Sequence, residues 1–348
     1  MYYSGDISKE YAMTQNEGMP RAEAIFTAVA YGDAAGLPVE TMHADDIAER
    51  YGYIRSLIPP TDNPFFKGEY PVGTTSDDTQ LTLAVAESLV EAGAYEQRSQ
   101  ADRHLAAYHR APRIMVDGSE KVQGWGGSTT RSLDRIEQGI DPMYSGERSG
   151  AGNGVVMKLA PLALWNTLTD ANEFKRASSY DLLTDMTHDS DIARITTQLH
   201  GEVLRSLMVA SPMSETIRAV LDSAPGSDRF TREFSMIKLA VAEPCRNLEG
   251  LIERYAAGKS GFDYGFYVPE TLAMAYDIYS GYCDEPEAAI YTAVNLGGDS
   301  DSIASIVASM LASDGHTELP SDYDKIQDLE TIHEKAAAFE RAAEGEIS

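Results

Sequence analysis

Apolar residues recur at helical spacing along most of this chain, and alternating runs of Val, Ile and Thr bounded by turns are nearly absent. The stretch from Arg21 to Tyr31 reads as a buried helix rich in small residues. It is expected to stop at Gly32-Asp33-Ala34-Ala35-Gly36-Leu37-Pro38, where glycine and proline interrupt the pattern. Further helices are predicted over residues 79–92 and 99–110, from Ser128-Thr129-Thr130-Arg131 onward, and from about 189 to 210. Others are predicted near 213–222 and 247–257, from Pro269 to Tyr279, from Glu285 to Asn295, from Ile303 onward, and over about 325–343. Residues 41–72 carry Pro59-Pro60, Pro64 and Pro71 and read as a long surface excursion, the kind of segment that serves as a lid or binding loop. Residues 117–131 and 150–154 are rich in glycine. The pattern predicts an all-α protein. No internal repeat or linker divides it, so residues 21–348 are expected to form one domain behind a polar, flexible segment of residues 1–20.

One helix start stands out. Ser76-Asp77-Asp78-Thr79 places hydroxyl, carboxylate, carboxylate and hydroxyl directly before the apolar run Leu81 to Val90. A helix entry needs one such residue as its cap. Adjacent carboxylates repel, and a divalent cation between them relieves the repulsion. Asp299-Ser300-Asp301-Ser302 repeats this arrangement behind Gly297-Gly298, more than 200 residues later. Either cluster alone can be a capped helix end; together they exceed capping needs. Carboxylates and hydroxyls are hard oxygen donors, suited to Mg²⁺, Mn²⁺ or Ca²⁺ rather than zinc. If both clusters serve one site, the chain closes on itself as a single domain. Gly150-Ala151-Gly152-Asn153-Gly154 is then a candidate anion cradle, although by itself it is only a turn before a helix. His188 reads as a residue at a helix start, there either for capping or to meet a phosphate or ribose hydroxyl.

Composition narrows the partners. A hydrophobic content of 43% in 348 residues supports a sizeable core. No apolar run reaches the ~20 residues of a membrane span. A formal net charge of −27 argues against nucleic-acid duplexes and anionic membrane surfaces as partners. Cys245 and Cys283 have neither ligand-like spacing nor a disulfide framework, and the first residues lack the order of a signal peptide. A cytoplasmic location is expected.

Five blocks, taken in order, resemble the ADP-ribosylglycohydrolase family: Gly32 to Glu40; Ser76 to Thr79; Gly152-Asn153-Gly154 with Met157 and Ala160-Pro161-Leu162; Thr187-His188; and Asn295 to Ser302. The resemblance implies a single-domain orthogonal helical bundle whose central cleft holds a dinuclear metal site with two divalent cations, Mg²⁺ or Mn²⁺. The implied metal ligands are Ser76, Asp77, Asp78, Asp299, Asp301 and Ser302. Glu40, Asp77 and Asp301 would be the catalytic residues, with Glu40 matching the family's loop glutamate, a metal ligand or acid/base group that can move when substrate enters. Gly150, Ala151, Gly152, Asn153, Gly154 and His188 would hold the diphosphate and adjoining ribose. Tyr264, Phe266 and Tyr267 are either an adenine platform or core. Ser at positions 76, 300 and 302 replaces the family's more frequent Thr, and Lys158 stands where Arg is common. The implied reaction is metal-dependent hydrolysis of an N- or O-glycosidic bond between ADP-ribose and a modified residue or small ADP-ribosyl compound. A same-fold hydrolase of another ribosyl substrate and a non-catalytic ADP-ribose-binding protein are the alternatives.

Overall fold

Two helices of small residues form the centre of the molecule. In the computed structural model, which describes residues 21–66, 68–116, 118–255 and 265–345, all of the Arg21–Gly36 helix except Arg21 and Glu23 is buried. So is every residue of the Ser300–Ser313 helix. A helix apolar or small on all sides is a core element rather than a surface one. The two approach so closely that side chains are excluded at two points. A Cβ on Gly32 would lie 2.4 Å from the Ala304 carbonyl oxygen, and one on Gly36 2.3 Å from that of Ser300. Glycine weakens a helix interior by roughly 0.5–1 kcal/mol, but here it permits backbone-to-backbone packing. The first helix therefore runs through Gly32 instead of stopping there. It ends at Gly36, and Leu37–Val39 form a 3₁₀ turn with Pro38 near its start.

Other helices wrap this pair. Leu329–Ala343 lies along the first helix, with Phe339 edge-on to both Phe26 and Trp165 at centroid distances of 5.3 Å. Asp77–Ala92 packs beside both. Val268–Tyr282 and Pro286–Leu296 flank Ser300–Ser313 from the other side, and Thr231–Ala242 covers Val268–Tyr282. Fifteen α-helices are present among the described residues. Among the described residues the strands are confined to an antiparallel hairpin, Arg113–Val116 with Ser119–Val122, and a two-residue parallel pairing of Glu147–Arg148 with His188–Asp189, beside isolated bridges at His43–Gly297 and Gly152–Tyr267. The all-α expectation holds. No described helix is long and apolar enough to cross a membrane.

Several elements differ from the sequence pattern. The hairpin falls at the edge of the glycine-rich stretch; the dipeptide Asp117-Gly118 between Ile/Val-containing runs was its signal. Two helices, Glu173–Thr187 and Thr231–Ala242, are additional. Their buried faces are sparse: only Phe234, Ile237 and Ala240 in the second, and a face mixing Ser and Thr with Tyr180, Leu183 and Met186 in the first. Asn172 caps the first by accepting from Lys175 N at 3.0 Å. Residues 41–72 are not a loose excursion. They contain the Ala44–Tyr51 helix and bury Ile54, Leu57, Asn63 and Phe66. Asn295 clamps the segment by accepting from Ile54 N and donating to Ile54 O, and Asp322 accepts from Leu57 N. Residues 1–20 and Tyr264 lie outside the described residues.

Candidate metal centre and substrate cleft

The Asp77–Ala92 helix begins with three backbone or hydroxyl donors that meet one carboxylate from another helix. Asp33 accepts from Ser76 N at 2.9 Å, from Thr79 N at 3.0 Å and from Thr79 Oγ1 at 2.5 Å. Ser76 Oγ itself accepts from Asp78 N at 3.2 Å, as an N-cap does. With the helix start satisfied in this way, the carboxylates of Asp77 and Asp78 are left over for the cleft. Asp33 was legible only as part of a glycine motif; nothing in the sequence indicated that it would reach across to residue 76.

The second acidic helix start arrives from the far end of the chain. Gly297 and Gly298 both sit at positive φ, 76° and 74°, which only glycine adopts without strain. This turn lets Gly298 exchange backbone hydrogen bonds with Thr41 and Met42, at 2.7 and 2.9 Å. The exchange holds the Glu40 segment against Asp299. Carboxylate oxygens of Glu40, Asp299 and Asp301 consequently lie within 4.8 Å of one another. Ser302 Oγ donates to Asp78 Oδ2 at 3.2 Å, so the two acidic clusters meet. Asn153 donates to Asp299 Oδ2 at 2.5 Å, and Ser302 N to Asp301 Oδ1 at 3.0 Å.

Glu40 is buried and held by Asn63, whose amide donates to Glu40 Oε2 at 2.9 Å and to Leu37 O at 2.7 Å. Asn63 carried no sequence signal, because it lies in an irregular segment 23 residues from Glu40. Replacing it with Ala is expected to reduce turnover about 10-fold, in line with the 10–100-fold effects of removing outer-shell partners. Steady-state rates at saturating divalent cation, compared with the melting temperature, separate this from loss of fold.

Asp33, Glu40, Asp77, Asp78, Asp299 and Asp301 are all buried. Burial raises every one of them above the usual carboxylate range. For five of the six, the next cause is the negative charge of Asp301. Asp33 is pushed to about 7 and Asp77 to about 8. Such mutual repulsion in a low-dielectric site calls for positive charge. Asp78 Oδ1, sealed from solvent, has no hydrogen-bond partner, and buried polar atoms are rarely left so. An all-oxygen donor set with an open lone pair fits a hard divalent cation. The residues present can therefore hold metal.

The adjoining cleft is lined by Gly152, Asn153, Gly154, Met157 and His188 together with Gly124, Gly126, Gly127, Ser128 and Thr129. Its volume is ≈ 210 Å³. Gly150 and Ala151 are not among its lining residues. The N–H groups of Gly150 and Asn153 are engaged by the carbonyls of Glu147 and Phe266, so not every amide of this loop is available to an anion. The glycines instead fit around His188: Cβ atoms on Gly150 and Gly154 would lie 3.3 and 3.2 Å from its ring carbons. His188 does not open a helix. It follows the Glu173–Thr187 helix, and Ser190 caps the next one, Asp191–Met208. Its Nδ1 pairs with Thr187 Oγ1 at 2.9 Å, and burial chiefly, then the charge of Lys158, pushes it down to about 3. The ring is neutral at ordinary pH. Phe266 faces the cleft and is partly exposed, whereas Tyr267 packs against the core.

The sequence profile of the ADP-ribosylglycohydrolase family matches residues 14–346. The chain belongs to that family. As an ADP-ribosylglycohydrolase it is a glycosidase, and its buried acidic cluster is the place where a metal can bind. It is 25% identical over 313 residues to an uncharacterised protein of Archaeoglobus fulgidus, covering 88% of this chain and 92% of that one. It is 23% identical over 323 residues to the ADP-ribosylarginine hydrolase Tri1 of Serratia proteamaculans, covering 91% and 78% respectively. Among solved structures, an ADP-ribosylglycohydrolase-related protein complex matches with a TM-score of 0.65 at 25% identity, over 93% of this chain and 98% of that one.

Proposed function

We propose that this ADP-ribosylglycohydrolase hydrolyses the glycosidic bond between ADP-ribose and a modified side chain, with two divalent cations, Mg²⁺ or Mn²⁺, held by Ser76, Asp77, Asp78, Asp299, Asp301 and Ser302. The observation that carries this reading is the meeting of the two acidic helix starts at Ser302 Oγ and Asp78 Oδ2, beside an unpartnered Asp78 Oδ1. When bound, the cations supply charge neutralisation and Lewis-acid polarisation at the scissile ribose. The chain's own groups do the rest. Glu40, made more basic by burial and by Asp301, accepts the proton of the attacking water. The water oxygen bonds to the anomeric carbon as the bond to the side-chain nitrogen or oxygen breaks, and that atom departs with the proton that Glu40 took from the water. The positive charge that develops on the sugar is stabilised by the surrounding carboxylates.

The cleft is smaller than the ~300–1,000 Å³ typical of sites that enclose a whole ligand. It accommodates the terminal ribose and nearest phosphate, and the adenosine end lies across the rim at Phe266. His188, uncharged, offers a ring nitrogen to a ribose or phosphate oxygen, with Gly152 and Gly154 allowing close approach. Arginine linkage is favoured by the Tri1 relative and by the −27 charge, which attracts basic target proteins.

The test is release of ADP-ribose from arginine-, serine- and aspartate-linked ADP-ribosyl peptides, with EDTA and with added Mg²⁺ or Mn²⁺. Cation-dependent release from the arginine-linked peptide is expected. No release from any peptide overturns the reading, and preference for serine overturns the linkage alone. Cation at 100 times its Kd should also stabilise the fold by ~2.7 kcal/mol, seen as a melting shift that EDTA reverses.

A further inference from the structure

Five carboxylates line the cleft, and no lysine or arginine does. The diphosphate proposed to enter it is itself an anion. Donors and positive charge meet at its edge, where the Gly127–Glu137 helix begins. That helix opens on Gly126 without a side-chain cap. The amides of its first three residues, Gly127, Ser128 and Thr129, meet no acceptor among the described residues. All three residues line the cleft. Open amides at a helix start suit an anion. Thr129 is only 2% exposed, yet its hydroxyl makes no hydrogen bond among the described residues. Its Oγ1 would lie 3.3 Å from a Cβ on Gly154, another residue of the cleft, so the hydroxyl stands between the two glycine-rich stretches.

Arg131 supplies the charge. Its Nε donates to Glu147 Oε2 at 2.8 Å, and Arg135 Nη2 donates to the same oxygen at 3.0 Å. Two guanidinium groups share one carboxylate, so one positive charge is in excess. Arg135 is tied further, donating from Nη1 to Ser145 O at 2.9 Å. Both terminal nitrogens of Arg131 are left without a hydrogen bond among the described residues. The guanidinium folds back over the helix start: a Cβ on Gly127 would lie 2.8 Å from Nη1 and 3.8 Å from Nη2. An arginine fixed through Nε presents the rest of its fork to an oxyanion.

We propose that Arg131 is a specificity-determining residue that binds the substrate's diphosphate, together with the Thr129 hydroxyl and the open amides of residues 127–129. The inference rests on the ADP-ribose reading of the cleft. It adds an anion contact to the Gly150–Gly154 loop, two of whose amides are already engaged.

The experiment is calorimetric titration of ADP-ribose into the full chain with saturating Mn²⁺, for wild type and Arg131→Gln, alongside steady-state kinetics on the peptide that wild type cleaves. The Arg131 side chain is more than half exposed, and exposed ion pairs add little stability, so circular dichroism should show an intact fold. Arg131→Gln is expected to weaken ADP-ribose binding and raise KM about 10-fold, with kcat within about 3-fold of wild type. Its affinity should also fall less steeply with added KCl than that of wild type, because one charge has left the contact. Unchanged affinity in Arg131→Gln overturns the proposal, and so does weaker binding with the salt dependence of wild type. If that variant does not fold, Arg131→Ala is judged by the same criteria. Absence of ADP-ribose binding in wild type sinks the ADP-ribose reading and this inference with it; binding in wild type that the variant retains sinks the inference alone.

Discussion

Asp301→Asn is expected to lower turnover by about 100–1,000-fold while raising the melting temperature of the cation-free protein. The two halves of this result come from one cause. Asp301 is the charge that, after burial, most raises Asp33, Glu40, Asp77, Asp78 and Asp299. Without cations it is a source of repulsion at the centre of the molecule. Asparagine keeps the acceptor for Ser302 N and removes the charge. The loss of a favourable interaction with the helix N-terminus, ~0.3–1 kcal/mol, works against the gain. Repulsion from five neighbouring carboxylates outweighs it. Relief of ~1 kcal/mol appears as roughly 2–4 °C in a chain of a few hundred residues. With cation present the ranking reverses, because the wild type gains binding energy that the variant cannot. Melting curves with EDTA and with Mn²⁺ make the comparison directly. A variant that turns over at the wild-type rate removes Asp301 from the catalytic set.

Gly36→Ala is expected to destabilise the protein by about 3 kcal/mol, at the upper end of the usual range for overpacking a core. The added Cβ would lie 2.3 Å from Ser300 O and 2.4 Å from Asp301 N. Both contacts are backbone, so no side chain can swing aside. The first turn of the Ser300–Ser313 helix must shift, and Asp301 moves with it. Gly36→Ala should therefore weaken cation binding as well as stability. Gly32→Ala presses on the same helix one turn later, 2.4 Å from Ala304 O. It should cost similar stability but disturb the cation site less. Paired denaturant titrations and Mn²⁺ titrations test this, and equal loss of cation affinity in both variants would refute the separation.

The chain announced its chemistry more openly than its packing. Ser76 to Thr79 and Asp299 to Ser302 carry more oxygen donors than helix capping uses, and such an excess is visible in any linear reading. Glu40, Asp77, Asp78, Asp299, Asp301, Ser302, Asn153 and His188 all line the cleft. The helical period disclosed most of the long helices, because a buried helix must repeat its apolar face every turn. It passed over Glu173–Thr187 and Thr231–Ala242, whose buried faces are too thin or too polar to register.

What only the tertiary structure decided are the long-range supports. Asp33 holds the start of the Asp77 helix, Asn63 holds Glu40, Asn295 clamps Ile54, and the Lys158 ammonium nitrogen is buried without a hydrogen-bond partner. Gly32 and Gly36, which look like a helix stop, are a helix–helix contact. The division has a physical reason. Capping, periodicity and ligand chemistry depend on neighbours along the chain, whereas a support residue is defined by a partner that the fold brings from tens or hundreds of positions away.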